Sequence, residues 1–145
     1  MKHAKLWVSL LCLFSCVIAL LVATSRQNIK DSTLSYIQSN HQNLEIFAEE
    51  IMKSGTAPSA YNGWDVTYYP EAGMIQFDVR TDGFTTSSTY EGFYYSHNDV
   101  PHGFHGADIE FQRNGIGWEW TDPTGDNYAY TEQIIKKWYW FEVHF

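Results

Sequence analysis

The stretch SHNDVPHGFHGADIE, residues 96–110, holds imidazole and carboxylate side chains at short spacing. Such groups bind zinc or transfer protons in enzyme active sites. Pro and Gly recur between them, which predicts an irregular loop, and the sequence contains no helical zinc signature such as H-E-x-x-H. We therefore expect a polar turn and predict no cofactor. If a metal does bind, its ligands are expected among His97, His102, His105 and Asp99.

Paired carboxylates offer a second kind of chemistry, because two acidic side chains across a cleft can hydrolyse a glycosidic bond. The candidates are Glu91, Asp108, Glu110 and Glu119. Each lies in a segment of alternating apolar and polar residues, at a position expected to face solvent. The sequence also lacks a G-x-S-x-G nucleophile motif. A hydrolase acting on cell-envelope polymer, or a metal-dependent enzyme using the 97–110 loop, is therefore kept as the alternative function.

Aromatic residues make up 17% of the chain and are concentrated after residue 60. In the last predicted strand the alternation places Tyr139, Phe141, Val143 and Phe145 on one face, which we assign to the core. Exposed aromatic rings on the other face would stack on sugars or protein partners, whereas cross-strand aromatic pairs would only stabilise the sheet. The predicted binding residues are Trp138, Trp140, Trp118 and Trp120.

The segment 6–23, LWVSLLCLFSCVIALLVA, is uncharged and follows Lys2 and Lys5. As a helix it would extend about 27 Å, close to the ~30 Å hydrocarbon thickness of a bilayer. We predict a single-pass transmembrane anchor over 6–23, with residues 1–5 in the cytoplasm and the C-terminal domain outside the cell membrane. The alternatives are a cleaved signal peptide, which would give a secreted domain, and a lipoprotein lipidated at Cys16.

The charge of the chain excludes one class of partner. From Asp31 onward there are 17 acidic and five basic residues, a net charge of −12 with the histidines neutral. Nucleic-acid binding needs clustered Lys and Arg, so no nucleic-acid partner is predicted. Both cysteines, Cys12 and Cys16, lie in the apolar segment, so the predicted outer domain has no disulfide.

The element pattern predicts an α+β fold. Apolar residues spaced by three and four predict a helix over 31–53, as part of a juxtamembrane helix over 24–55. His41 lies on the apolar stripe and is expected to be buried. From residue 56 to 145, period-two segments separated by Gly, Pro and Asn turns predict an antiparallel meander of five or six strands that packs on this helix. The strands are expected in WDVTYY, MIQFDVR, STYEGFYYS, ADIEFQ, IGWEWT and YAYTEQIIKKWYWFEVHF.

The phrases GFYYSHNDVPHGF and WYWFE resemble those of small bacterial proteins with an N-terminal membrane anchor. This resemblance implies no activity. A membrane helix followed by a sheet is also similar to type IV pilins, although the prepilin cleavage junction is missing. Together these features favour a membrane-tethered, extracytoplasmic interaction domain, with the membrane as one partner through residues 6–23 and a protein or glycan of the cell envelope as the other.

Overall fold

The computed structural model describes the backbone of residues 2–84 and 87–145 and the side chains of residues 13–83 and 87–145. The chain divides into two compact units, residues 1–39 and residues 40–145. One helix, α1 (Lys2–Ser54), contains the whole described part of the first unit and the start of the second.

Large apolar side chains of the first unit are exposed. They are Leu13, Phe14, Val17, Ile18, Leu20, Leu21 and Val22, each at least 43% accessible. Within the described residues, however, no helix has a stretch long and apolar enough to cross a membrane. This finding contradicts the transmembrane helix predicted over 6–23, of which the side chains of residues 6–12 lie outside the described part.

Helix α1 ends where the sequence predicts. Gly55 adopts a left-handed conformation with φ of 72° and donates its N–H to the carbonyl of Ile51 at 2.8 Å, which is a glycine C-cap. In the second unit Leu44, Ala48 and Ile51 are buried. His41 is exposed, so its predicted burial is wrong: the buried stripe passes beside it.

Within the residues that the structure describes, eight strands form a single antiparallel sheet, so the predicted count of five or six is wrong. Their bounds are β1 Ala60–Tyr61, β2 Trp64–Tyr69, β3 Met74–Phe84, β4 Ser87–Ser96, β5 Gln112–Asn114, β6 Gly117–Thr121, β7 Tyr128–Ile135 and β8 Trp138–His144. The predicted antiparallel pairing is confirmed.

Two local features add strands to the predicted number, and a third moves one predicted strand along the chain. Asn62 and Gly63, both with positive φ, form a two-residue turn that creates β1. A turn at Lys137, with φ of 67°, divides the predicted last strand into β7 and β8. Residues 107–111 form no strand, although ADIEFQ alternates in polarity, and β5 begins only at Gln112.

The strand order is β1-β2-β3-β4-β8-β7-β6-β5, so the sheet consists of two four-stranded meanders joined where β4 pairs with β8. The predicted single meander is therefore wrong at one connection. The chain leaves β4 in the middle of the sheet and reaches β5 at its edge through residues 97–111, which we call the covering loop.

Both faces of the central strands are buried. On one face, which we call the helix face, Phe77, Phe93 and Trp138 pack together, and the ring of Phe47 from α1 lies 6.1 Å from that of Phe77. The opposite face, which we call the loop face, carries Tyr94, Tyr139, Phe141 and Val143. The two faces therefore have different covers.

Candidate functional site

The covering loop packs on the loop face of the sheet. Phe104, Ile109 and Phe111 contact the core cluster that contains Tyr94 and Phe141, and the ring of Phe104 lies 5.7 Å from that of Phe141. This loop contains every histidine and acidic residue of the 97–110 stretch. The covering loop thus has a structural role, because it shields the apolar side chains of the loop face from water.

Asp99 fastens the loop to the β7–β8 turn. Its Oδ1 accepts hydrogen bonds from the backbone N–H of Lys137 at 2.6 Å, from Nε2 of Gln133 at 2.7 Å and from the hydroxyl of Tyr139 at 3.2 Å. Burial and the Asp99 carboxylate together raise the pKa of Tyr139. With three donors on one oxygen, Asp99 is engaged by the protein rather than held open for a metal.

His102 begins a buried chain of hydrogen bonds. Its backbone N–H donates to the Tyr94 hydroxyl at 2.9 Å, and Tyr94 lies 2.9 Å from Oγ1 of Thr131. Thr131 donates its single proton to the carbonyl of Trp140 at 2.8 Å, so Tyr94 must be the donor to Thr131. Burial raises the pKa of Tyr94, which keeps the hydroxyl protonated as this chain requires.

The imidazole of His102 lies beside a serine. Nε2 is 3.1 Å from Oγ of Ser96, which also accepts the N–H of Val100 at 3.0 Å. Burial lowers the pKa of His102, so the neutral ring is favoured. A Ser–His contact of this kind can activate a nucleophile when a third group orients the histidine. Here Ser96 is fully buried and Asp99 binds elsewhere, so the contact fits a structural role.

The other two histidines lie in different surroundings. His105 donates its backbone N–H to Oε1 of Gln76 at 3.1 Å, and its ring stacks on Phe104 with centroids 3.7 Å apart. His97 is exposed and donates its backbone N–H to Gly73. Among the described residues, no group of three or more His, Cys, Asp or Glu side chains is placed to hold a metal ion.

A cleft of about 450 Å³ lies between the covering loop and the β2–β3 turn. Its polar lining includes Glu71, Asn98, His102 and Asp108. Of the four predicted carboxylates, Asp108 therefore shares a cleft with a histidine. Glu91 and Glu119 lie on the helix face, since their partners Glu142 and Tyr130 alternate with the loop-face residues of β8 and β7. The sheet thus separates Glu91 and Glu119 from Asp108 and Glu110 of the covering loop. Glu91 is buried, so its predicted exposure to solvent is wrong.

The four predicted binding tryptophans also lie on different faces. Trp138 and Trp140 are 2% and 1% exposed on the helix face, and a buried indole has no surface to offer a ligand, so their predicted binding role does not fit the structure. Trp118 and Trp120 are half-buried on the loop face of β6, next to the edge strand β5.

Trp118 and Trp120 differ in what they contact. The guanidinium of Arg113 lies 4.3 Å from the centre of the Trp118 ring, and Tyr139 lies 6.0 Å away on the core side. No ring or cation of the described residues stacks on Trp120. Arg113 was not among the predicted site residues, although the turn signal RNG pairs Arg113 with Trp118 and could have revealed the contact.

The chain was compared with protein-family models, with curated proteins and with solved structures. No family model, no curated protein and no solved structure matches this chain.

Proposed function

We propose that the sheet domain is an interaction domain that binds its ligand through the loop face of β6. The observation that carries this proposal is the half-buried Trp120: its indole packs against the core cluster but stays partly exposed, and no ring or cation stacks on it in the described part of the chain. Aromatic side chains at the surface are enriched where proteins bind sugars or other proteins.

The charge of the unit restricts the ligand. Residues 40–145 contain 16 acidic and five basic residues, a net charge of −11 with the histidines neutral. Such a surface repels polyanions, so a nucleic acid is not the ligand. A protein or glycan of the cell envelope is the partner we propose.

The binding proposal is tested by a photoreactive residue in place of Trp120. The matched control carries the same residue in place of the exposed Thr67, which lies on the same face of the sheet but in β2, near the opposite edge. We expect crosslinks to a protein or glycan from position 120 only, and loss of binding in Trp120→Ala. Equal crosslinking from both positions, or unchanged binding by Trp120→Ala, would contradict the proposal.

The location proposed for the domain is outside the cytoplasm, and the feature that supports it is the uncharged segment 6–23 after Lys2 and Lys5. A cysteine at the exposed Asp126, in a chain lacking Cys12 and Cys16, should react in intact cells with a thiol reagent that does not cross membranes. Labelling only after lysis would place the domain in the cytoplasm.

A hydrolase is the second candidate, because His102 and Asp108 line one cleft. If this cleft hydrolyses an envelope polymer, Asp108→Asn must abolish the hydrolysis while the fold and the binding through Trp120 are unchanged. If Trp120→Ala weakens binding and Asp108→Asn changes no activity, the interaction domain is favoured over the hydrolase.

A further inference from the structure

We propose that Asn114 is a site of spontaneous deamidation and that the neighbouring Glu119 slows the reaction. Asn114 and Gly115 form an exposed Asn-Gly dipeptide at the β5–β6 turn. Glycine has no side chain to shield its backbone nitrogen, and no atom beyond Gly115 and its two chain neighbours lies within 4 Å of the place where a Cβ of Gly115 would be. The backbone at this position is therefore open to a rearrangement that involves the Asn114 side chain.

The reaction needs only water. The backbone nitrogen of Gly115 attacks Cγ of Asn114 and loses its proton, while the bond from Cγ to Nδ2 breaks and ammonia leaves. The resulting succinimide ring is opened by water at one of its two carbonyls. Opening at Cγ gives aspartate, and opening at the main-chain carbonyl gives isoaspartate. No oxidant or reductant is required.

One side-chain hydrogen bond of Asn114 opposes the reaction. Nδ2 of Asn114 donates a hydrogen bond to Oε2 of Glu119 at 2.6 Å. This contact ties the side-chain amide to β6, and Cγ must leave it to meet the nitrogen of Gly115. Strand β5 has only three residues, all exposed, and lies at the edge of the sheet, so local opening releases the amide easily.

A second Asn-Gly dipeptide, Asn62-Gly63, provides an internal comparison. Both of its residues have positive φ, at 52° and 87°, within a two-residue turn. The turn is anchored on both sides, because the ring of Tyr61 lies 4.4 Å from that of Phe47 and the ring of Trp64 lies 5.0 Å from that of Phe93. Asn62 therefore needs a larger opening than Asn114 before its amide can react.

The product changes the neighbourhood of the hairpin. Deamidation replaces a hydrogen-bond donor to Glu119 by a carboxylate, which places two like charges where a bond existed. The new charge is also adjacent in sequence to Arg113, whose guanidinium lies over Trp118. We expect the β5–β6 hairpin to be looser after the reaction.

The test is incubation of the full chain at mildly alkaline pH, followed by peptide mapping that detects the change from amide to carboxyl and measures isoaspartate. A synthetic peptide with the sequence QRNGIGW sets the rate of the unfolded segment. We expect product at Asn114 before Asn62, more slowly than in the peptide, and faster in Glu119→Ala than in the wild type. Glu119→Gln, which keeps an acceptor, should react at a rate nearer to the wild type.

Two results would overturn the proposal. One is an unchanged Asn114 in both the wild type and Glu119→Ala after the peptide has reacted completely. The other is product at Asn62 before Asn114. Equal rates in the wild type and Glu119→Ala, with product at Asn114, would remove the role of Glu119. Asn114→Gln should give no product and serves as the chemical control.

Discussion

Two strands of this sheet carry the same motif, Trp-x-Trp, with opposite outcomes. In β8 Trp138 and Trp140 are buried, whereas in β6 Trp118 and Trp120 remain half-exposed. Strand β8 lies in the middle of the sheet between β4 and β7, and β6 is next to the edge. The comparison teaches that strand position, more than residue type, decides whether an aromatic ring belongs to the core or to a surface.

The residue between the two tryptophans already differs. In β8 it is Tyr139, which is 1% exposed, and in β6 it is Glu119. A strand that is apolar on both faces is typical of one buried on both faces. WYW therefore indicates a central strand, and WEW indicates a strand with one face in contact with water.

The largest effect is expected from emptying either face of β8. Trp140→Ala and Phe141→Ala should each lower the free energy of unfolding by about 3–5 kcal/mol, because both side chains are buried. Against a typical total of about 5–15 kcal/mol, either change could unfold the domain. Denaturant melts of the two variants measure this. A clearly smaller loss for Trp140→Ala would contradict the equal burial of the two faces.

The next largest effect is expected at Asp99, which fastens the cover of the loop face. Asp99→Ala should cost about 2–3 kcal/mol, because it leaves the donors of Lys137, Gln133 and Tyr139 without their shared acceptor. Thermal melts compare it with Asp108→Asn, an exposed change in the same loop that we expect to be nearly neutral. Equal melting temperatures for the two variants would show that Asp99 does not hold the loop.

Trp120→Ala is expected to cost only about 1 kcal/mol, since a half-buried ring removes less apolar surface from water than a buried one. A loss similar to that of Trp140→Ala would place Trp120 in the core and remove the difference between the two Trp-x-Trp strands. Denaturant melts of both variants under the same conditions decide this.

The smallest expected effect is on the pH dependence of stability. Burial lowers the pKa of His102 in the folded domain, whereas the unfolded chain has the ordinary value of about 6.5. Below that pH the unfolded chain binds a proton that the folded domain does not. The contribution of the neutral His102 to the free energy of unfolding is therefore fully present above about pH 6.5. It decreases as the pH falls from there toward the folded pKa of His102.

Melts of His102→Gln across this pH range should show a flatter profile than the wild type. His97→Gln, a change at an exposed histidine of the same loop, should keep the wild-type slope. An unchanged slope in His102→Gln would assign the pH dependence to other groups.

Local signals in the sequence predicted much of the fold. The end of α1 at Gly55, the antiparallel pairing and the alternation of β8 follow from glycine geometry and period-two patterning. The predicted core position of Phe145 was wrong, since this residue is 44% exposed, because alternation gives a face but not the depth of burial.

The candidate site was less predictable, because its members meet through pairings that are distant in sequence. Asp99 was proposed as a metal ligand from its spacing to histidines, but its partners lie 34 to 40 residues away around the β7–β8 turn. The spacing of residues along the sequence does not show which distant hydrogen-bond donors will lie next to a carboxylate in the folded protein.

The sequence by itself determined the acidic charge, the turns and the two-faced aromatic strands, since these depend on residue type and local backbone geometry. Only the tertiary structure decided which face each cover occupies. Because β4 pairs with β8, residues 97–111 must cross the sheet to reach β5. The segment rich in histidine and acidic residues therefore covers the loop face. That outcome is set by long-range strand pairing, because register and strand order depend on contacts between segments far apart in the chain.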